Sequence, residues 1–266
     1  GSGGKPVSRA LGIHYIQEVV ANAAAVQRLY PDIRTAIELG GQDAKVIFFY
    51  FDDNTGRLMT SDMRMNGSCA GGTGAFIDEI ATLLGVKTEE FESLAAKGTT
   101  VYDISGRCGV FAKTDIQPLI NDGAAREDLA ASIFQAVVNQ TISGLACGKP
   151  IRGHVAFLGG PLHFLSELKE AFIRTLKLDD EHIIAPNHSH LFAAIGSALH
   201  SKKDTPMALL EMQKRLEGKI KMEFEVERLD PLFATTKDYE EFSARHAQHQ
   251  VPVKDLATYR GKAFLG

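Results

Sequence analysis

Apolar positions recur at helical spacing from about Ser8 to Leu29 and stop at Pro31, which predicts a helix over that stretch. Ile33–Leu39 reads as a buried strand ending in Gly40-Gly41. Lys45–Phe51 and Arg57–Met65 flank Asp52-Asp53-Asn54-Thr55-Gly56, a turn signal with glycine at its end, so the pair is expected to form a hairpin. Helices follow at about Gly74–Leu84, Thr88–Ala96, Lys113–Asp122 and Arg126–Cys147. A strand at His154–Leu158 breaks at Gly159-Gly160, and Leu162–Leu176 is amphipathic. A short strand at His182–Ala185 precedes a last helix from about Ser189 to His200. The order of these elements predicts a mixed α/β lobe.

Composition narrows the function classes. The 266 residues are 44% hydrophobic, enough for one large core or two modest ones, and the net charge of −4 gives no electrostatic footprint for nucleic acid. The run Phe48-Phe49-Tyr50-Phe51 lacks the interleaved basic residues of a base-recognition surface and reads as a half-buried strand. No apolar run is read as a membrane span, and Gly1-Ser2-Gly3-Gly4 reads as a cloning remnant rather than a signal peptide. Three cysteines with no even framework point to a reducing cytoplasm.

Two of those cysteines carry the candidate chemistry. Cys69 and Cys108 each open a glycine-punctuated turn, Asn66-Gly67-Ser68-Cys69-Ala70-Gly71-Gly72-Thr73-Gly74 and Ser105-Gly106-Arg107-Cys108-Gly109-Val110-Phe111-Ala112. Each turn leads into a predicted helix, whose free N–H groups and positive dipole end favour a thiolate. Such a thiolate is a ligand or a nucleophile. Two thiolates cannot complete the four-thiolate shell of a [4Fe–4S] cluster, but a two-fold dimer offering one pair per subunit can. A structural zinc shared by four thiolates is the alternative.

These turns, with Glu38-Leu39-Gly40-Gly41-Gln42-Asp43-Ala44-Lys45 ahead of them, resemble the ATP-dependent activators of 2-hydroxyacyl-CoA dehydratases and benzoyl-CoA reductases. That family lies within the acetate kinase/sugar kinase/Hsp70/actin superfamily, and the matching stretch runs from about Ile13 to Leu199. The resemblance implies a partial actin-like, ribonuclease H-like ATPase fold with a mixed sheet flanked by helices. It also implies a [4Fe–4S] cluster held by Cys69 and Cys108 across a homodimer, with ATP and Mg²⁺ as further cofactors. ATP hydrolysis would then push one electron into a partner dehydratase or reductase.

The same resemblance assigns roles at the glycine loops. Gly40, Gly41, Gln42 and Asp43 match the family's second phosphate loop, where glycine lets the backbone approach phosphate without Cβ obstruction. Glu38 stands where relatives usually carry Asp and is the candidate to hold Mg²⁺ through water. Asp43 is the candidate to orient the attacking water. Gly159 and Gly160 resemble the adenosine loop. On the residues alone, Gly40-Gly41 after a strand is more commonly just a turn, and Gly159-Gly160 is an ordinary strand-to-helix turn. No Asp-x-Gly-Ser phosphate loop precedes Glu38, so nucleotide binding is expected to be weak and the parent protein, rather than this chain, is expected to be the active ATPase.

Other residues read more plainly. Cys147 is expected to be a small buried hydrophobe, and His14, His154 and His163 are expected to be packed or hydrogen-bonded. In Asn187-His188-Ser189-His190 the histidines do not share a helical face, so a helix cap by Asn187 or Ser189 is expected rather than a metal pair. Lys113 stands where related activators often carry an acidic residue. Residues 201–266 are rich in charge and read as a connector or appendage to the 5–200 lobe. The apolar run Gly261-Lys262-Ala263-Phe264-Leu265-Gly266 suggests a second repeat. Two rival functions share this pattern: a sugar- or acetate-kinase-like phosphotransferase, and a non-catalytic repeat that dimerises or docks a partner.

Overall fold

A computed structural model describes residues 3–66, 71–201, 204–217, 229–249, 257–258 and 260–262. Cys69 and the terminal apolar run from 263 onward lie outside them. The chain divides into two compact units at 218/219.

The first unit is built on a five-stranded sheet in the order β3-β2-β1-β4-β5. β1 (Ile33–Leu39), β2 (Ala44–Asp52) and β3 (Arg57–Met65) form an antiparallel meander, while β4 (His154–Leu158) and β5 (Ile183–Ile184) run parallel to β1. The predicted hairpin turn closes with Gly56 at φ +63°, and its N–H donates to the Asp52 carbonyl at 2.8 Å. Both sheet faces are covered, which is why strand residues such as Ala36, Ile37, Val46 and Ile47 are all fully buried.

On one face, Ile37, Leu39, Val46, Phe48 and Phe157 pack under α3 (Gly74–Leu83), α4 (Thr88–Ala95), α5 (Gly109–Asn121), α6 (Arg126–Thr141) and α8 (Ser166–Leu176). On the other, Ala36, Ile47, Phe49 and Leu158 meet α2 (Glu18–Leu29) and α9 (Phe192–Ser201). The two rear helices approach closely at Gly196, where any Cβ would overlap the carbonyl of Ala21. In the aromatic run, Phe48 and Phe49 are buried while Tyr50 and Phe51 are exposed, the half-buried strand that its composition predicts.

Several boundaries differ from the pattern. The helix expected over Ser8–Leu29 is two, α1 (Gly4–Leu11) and α2, because Gly12 turns left-handed at φ +64° and Ile13 N–H closes back on the Ser8 carbonyl. The Leu162–Leu176 helix is likewise split at Leu165 into α7 (Gly160–Phe164) and α8. α6 runs into a π-helical turn at Ile142–Ala146. Counted with that turn, Arg126–Ala146 is long and apolar enough by composition to cross a membrane, contrary to the reading of the sequence. Its Leu129, Ile133, Phe134, Val137 and Val138 are instead core residues.

Past α9, α10 (Leu209–Glu217) joins α1 through Arg215, whose guanidinium donates to the Leu11 carbonyl at 2.5 Å. In the second unit, Thr235 and Asp238 form a reciprocal capping box at the start of α11 (Thr236–Ala247).

Candidate nucleotide and cluster site

β1 and β4 are parallel neighbours with Glu38 opposite Leu158, so Gly40-Gly41 and Gly159-Gly160 emerge side by side at their carboxyl ends. Such an edge is where ligands of open α/β sheets bind. Gly159 adopts φ +91°, and a Cβ there would overlap the Leu39 carbonyl, so only glycine permits the approach. The 40–43 turn is closed by Gly40 N–H donating to the Asp43 carbonyl at 2.7 Å. Gly41 and Gln42 are exposed, and a Cβ on Gly41 would meet nothing within 4 Å.

Glu38 sits beneath this edge, 5% exposed. Its Oε2 accepts from Lys45 Nζ at 2.6 Å, and Glu18 of α2 lies 3.6 Å from the same ammonium. Burial raises the Glu38 pKa above its ordinary value, with Lys45 opposing that shift. Oε1 points the other way, 3.1 Å from where a Cβ on Gly159 would stand and 3.6 Å from that of Gly40. One carboxylate oxygen is therefore committed to Lys45 while the other faces the glycine edge, an arrangement that fits a water-mediated Mg²⁺.

Lys45 escaped the sequence reading. It is fully buried, and its signal was an inward-facing charge in an apolar strand, directly across from Glu38 in the β1–β2 register.

The described end of the first cysteine turn, from Gly71 into α3, and the second turn lie beside the same edge. Gly74 and Ala75, the first residues of α3, donate to the carbonyls of Gly40 and Gly41 at 3.1 and 2.7 Å. Gly71 packs so tightly on the second turn that a Cβ would overlap the Arg107 carbonyl, and Gly106 is equally tight against Ala136 of α6. Cys108 is the N-cap of α5, which begins at Gly109 rather than at Lys113, and its sulfur accepts from Val110 N–H at 3.4 Å. That hydrogen bond and the helix terminus suit a thiolate ligand. Glu79 of α3 packs over Gly109 and pairs with Lys113 at 2.7 Å, so Lys113 is engaged with a carboxylate beside the turn.

Cys147 follows the π-helical turn at Ile142–Ala146. It is exposed, not buried as expected, because it takes a left-handed φ of +46° at the end of the π-helical turn. Its thiol donates to Gly144 O at 3.1 Å.

The histidines divide. His14 is exposed rather than packed, whereas His154 Nδ1 lies 3.1 Å from the Asp32 carbonyl oxygen. His163 Nδ1 lies 2.9 Å from Ser189 Oγ. Ser189 therefore engages an imidazole instead of capping α9, and no side chain caps the turn at 189–191.

The architecture is that of actin-like ATPase activators. The crystal structure of component A of the Acidaminococcus fermentans (R)-2-hydroxyglutaryl-CoA dehydratase superposes with a TM-score of 0.61 at 28% identity, covering 76% of this chain and 70% of that one. The activator of the 2-hydroxyisocaproyl-CoA dehydratase from Clostridium difficile, solved with bound ADPNP, gives 0.60 at 29% identity, covering 81% and 72%. Residues 1–201 match the BadF/BadG/BcrA/BcrD ATPase family, and the chain belongs to it. A Clostridioides difficile 2-hydroxyisocaproyl-CoA dehydratase activator is 33% identical over 186 residues, 70% of this chain and 66% of its own length. The chain thus spans just under two thirds of that relative, and 53% of the activating ATPase of the Acidaminococcus fermentans (R)-2-hydroxyglutaryl-CoA dehydratase.

Proposed function

We propose that this chain is the nucleotide- and cluster-bearing lobe of an ATP-dependent one-electron donor to a 2-hydroxyacyl-CoA dehydratase or a related CoA-substrate reductase. Cys69 and Cys108 of two copies hold one [4Fe–4S] cluster on the dimer axis. Gly40–Asp43 receives the phosphates, Glu38 holds Mg²⁺ through water, Asp43 orients the attacking water, and Gly159-Gly160 takes the adenosine. The relatives' activities support the reaction class. The observation that carries the reading is the continuity from the glycine loop through the first turn of α3 to the Gly71–Arg107 contact.

When bound, the cluster supplies low-potential one-electron transfer. The protein's part is to hold the thiolates at helix starts, where N–H donors stabilise added negative charge, and to link them to the phosphate loop. A thiolate-rich, oxygen-sensitive site of this kind suits a reducing cytoplasm.

Anaerobic purification with iron and acid-labile sulfide analysis tests the reading. About two irons and about two sulfides per chain are expected for a shared cluster. Zinc in place of iron would move the site to a structural role, and a metal-free protein that still dimerises would leave the docking repeat as the function.

A further inference from the structure

We propose that Phe164, backed by His163 and His190, is the surface on which the purine base of the nucleotide stacks. This inference rests on the nucleotide reading of the glycine edge and adds a residue to it. α7 starts at Gly160, and Phe164 follows four residues later, so the two positions share one helical face. A Cβ on Gly160 would meet nothing within 4 Å, which leaves open space on that face. Phe164 is 69% exposed, a large apolar area for a side chain on so short a helix.

The ring is not loose. His163 meets Phe164 edge-on at 4.6 Å between centroids and 87° between planes. His190 lies 4.0 Å from His163 and 5.4 Å from Phe164. The pair is itself tied to the glycine edge, since Ser189 holds His163 Nδ1 through its hydroxyl and accepts from Gly159 N–H at 3.0 Å through its carbonyl. Burial and then the neighbouring His190 lower the His163 pKa from its ordinary value. An exposed aromatic face beside an open glycine, buttressed and fixed in distance from the phosphate loop, matches a flat heteroaromatic ring rather than a sugar or a phosphate.

The chain contains no tryptophan, so Phe164→Trp introduces a sole indole at the proposed surface. At millimolar concentrations, Mg-ATP is expected to quench its fluorescence, while tripolyphosphate, which lacks the base, leaves it unchanged. Phe164→Ala is expected to weaken ATP binding roughly tenfold by calorimetry and to leave tripolyphosphate binding unaltered. Should Phe164→Ala weaken both ligands equally, or the indole stay silent while ATP binds, the stacking surface is wrong and the nucleotide reading stands. Should neither ligand bind the parent chain, both fail together. Loss of dimer on Phe164→Ala in sedimentation, with ATP affinity unchanged, would instead assign Phe164 to a protein contact and overturn the proposal.

Discussion

The backbone N–H of Ala75 donates to the carbonyl oxygen of Gly41 at 2.7 Å, joining the first turn of α3 to the glycine loop after β1. Under the nucleotide reading, a shift of that loop is transmitted to the cysteine turn through a backbone bond that only loss of the amide hydrogen removes. Ala75→Pro deletes the donor. Proline is tolerated in the first turn of a helix, and Gly74 before it has no Cβ to clash. The variant is expected to lose about 1 kcal/mol of stability and to keep its helical circular dichroism. Alkylation of Cys69 and Cys108 in the cluster-free protein should respond to saturating Mg-ATP in the parent and not in Ala75→Pro. An unchanged response would show that the coupling runs elsewhere.

Changing Cys69 or Cys108 to Ser is expected to remove cluster iron, since each subunit offers only that pair at glycine turns. Cys147→Ser is expected to retain it, because Cys147 sits on the π-helical turn with its thiol turned to Gly144. Iron per chain, read after anaerobic reconstitution of all three variants, decides this. Equal loss in the three would refute the assignment, as would a strictly monomeric protein that holds its full complement of iron.

Lys45→Met leaves Glu38 buried without its partner. Removing one member of a buried pair costs about 3–5 kcal/mol, whereas the double variant Lys45→Met/Glu38→Leu strands no charge and is expected to recover most of the loss. Urea unfolding of the two single variants and the double variant gives the coupling. Additive losses would mean that the ammonium and carboxylate do not support one another.

Asp128 supplies the pH dependence. Its Oδ1 accepts from the N–H groups of Thr99 and Thr100 at 2.7 and 2.9 Å, and these bonds, Thr100 first, lower its pKa below 3.8. A depressed carboxylate contributes stability that is present above the unfolded value and is lost as pH falls through the folded one. Parent and Asp128→Ala are therefore expected to differ most in melting temperature above the ordinary carboxylate range and to converge in stronger acid. A gap that persists unchanged at the lowest pH would place the effect in packing instead.

The strands and the glycine edge were legible because each depends on residues close in sequence: β-branched and aromatic runs, a hairpin signal, and glycines directly after apolar strands. What was lost depends on distant partners or on backbone twist. The hydrophobic pattern runs through Gly12 as helix, although its left-handed conformation ends α1 there. Cys147 follows an apolar helix and so reads as buried, yet the π-helical turn leaves it at the surface. The Glu38–Lys45 pair needed the strand register, since the spacing of seven residues has no meaning until the hairpin-like return of β2 sets the two side by side. Ser189 has a capping residue's identity and neighbours, but His163, twenty-six positions away, takes its hydroxyl.

Under the nucleotide reading, Gly196 bears on the dimensions of the cleft. α2 begins at Glu18, against Lys45 and Glu38, and α9 begins just after His190, beside His163 and Phe164. Because α9 touches the α2 backbone at Ala21 with no side chain between them, these two ends of the cleft are clamped together behind the sheet. On that reading the helix pair works as a fixed gauge: the distance from the proposed metal end to the proposed base end is set by a backbone contact on the far side of the sheet.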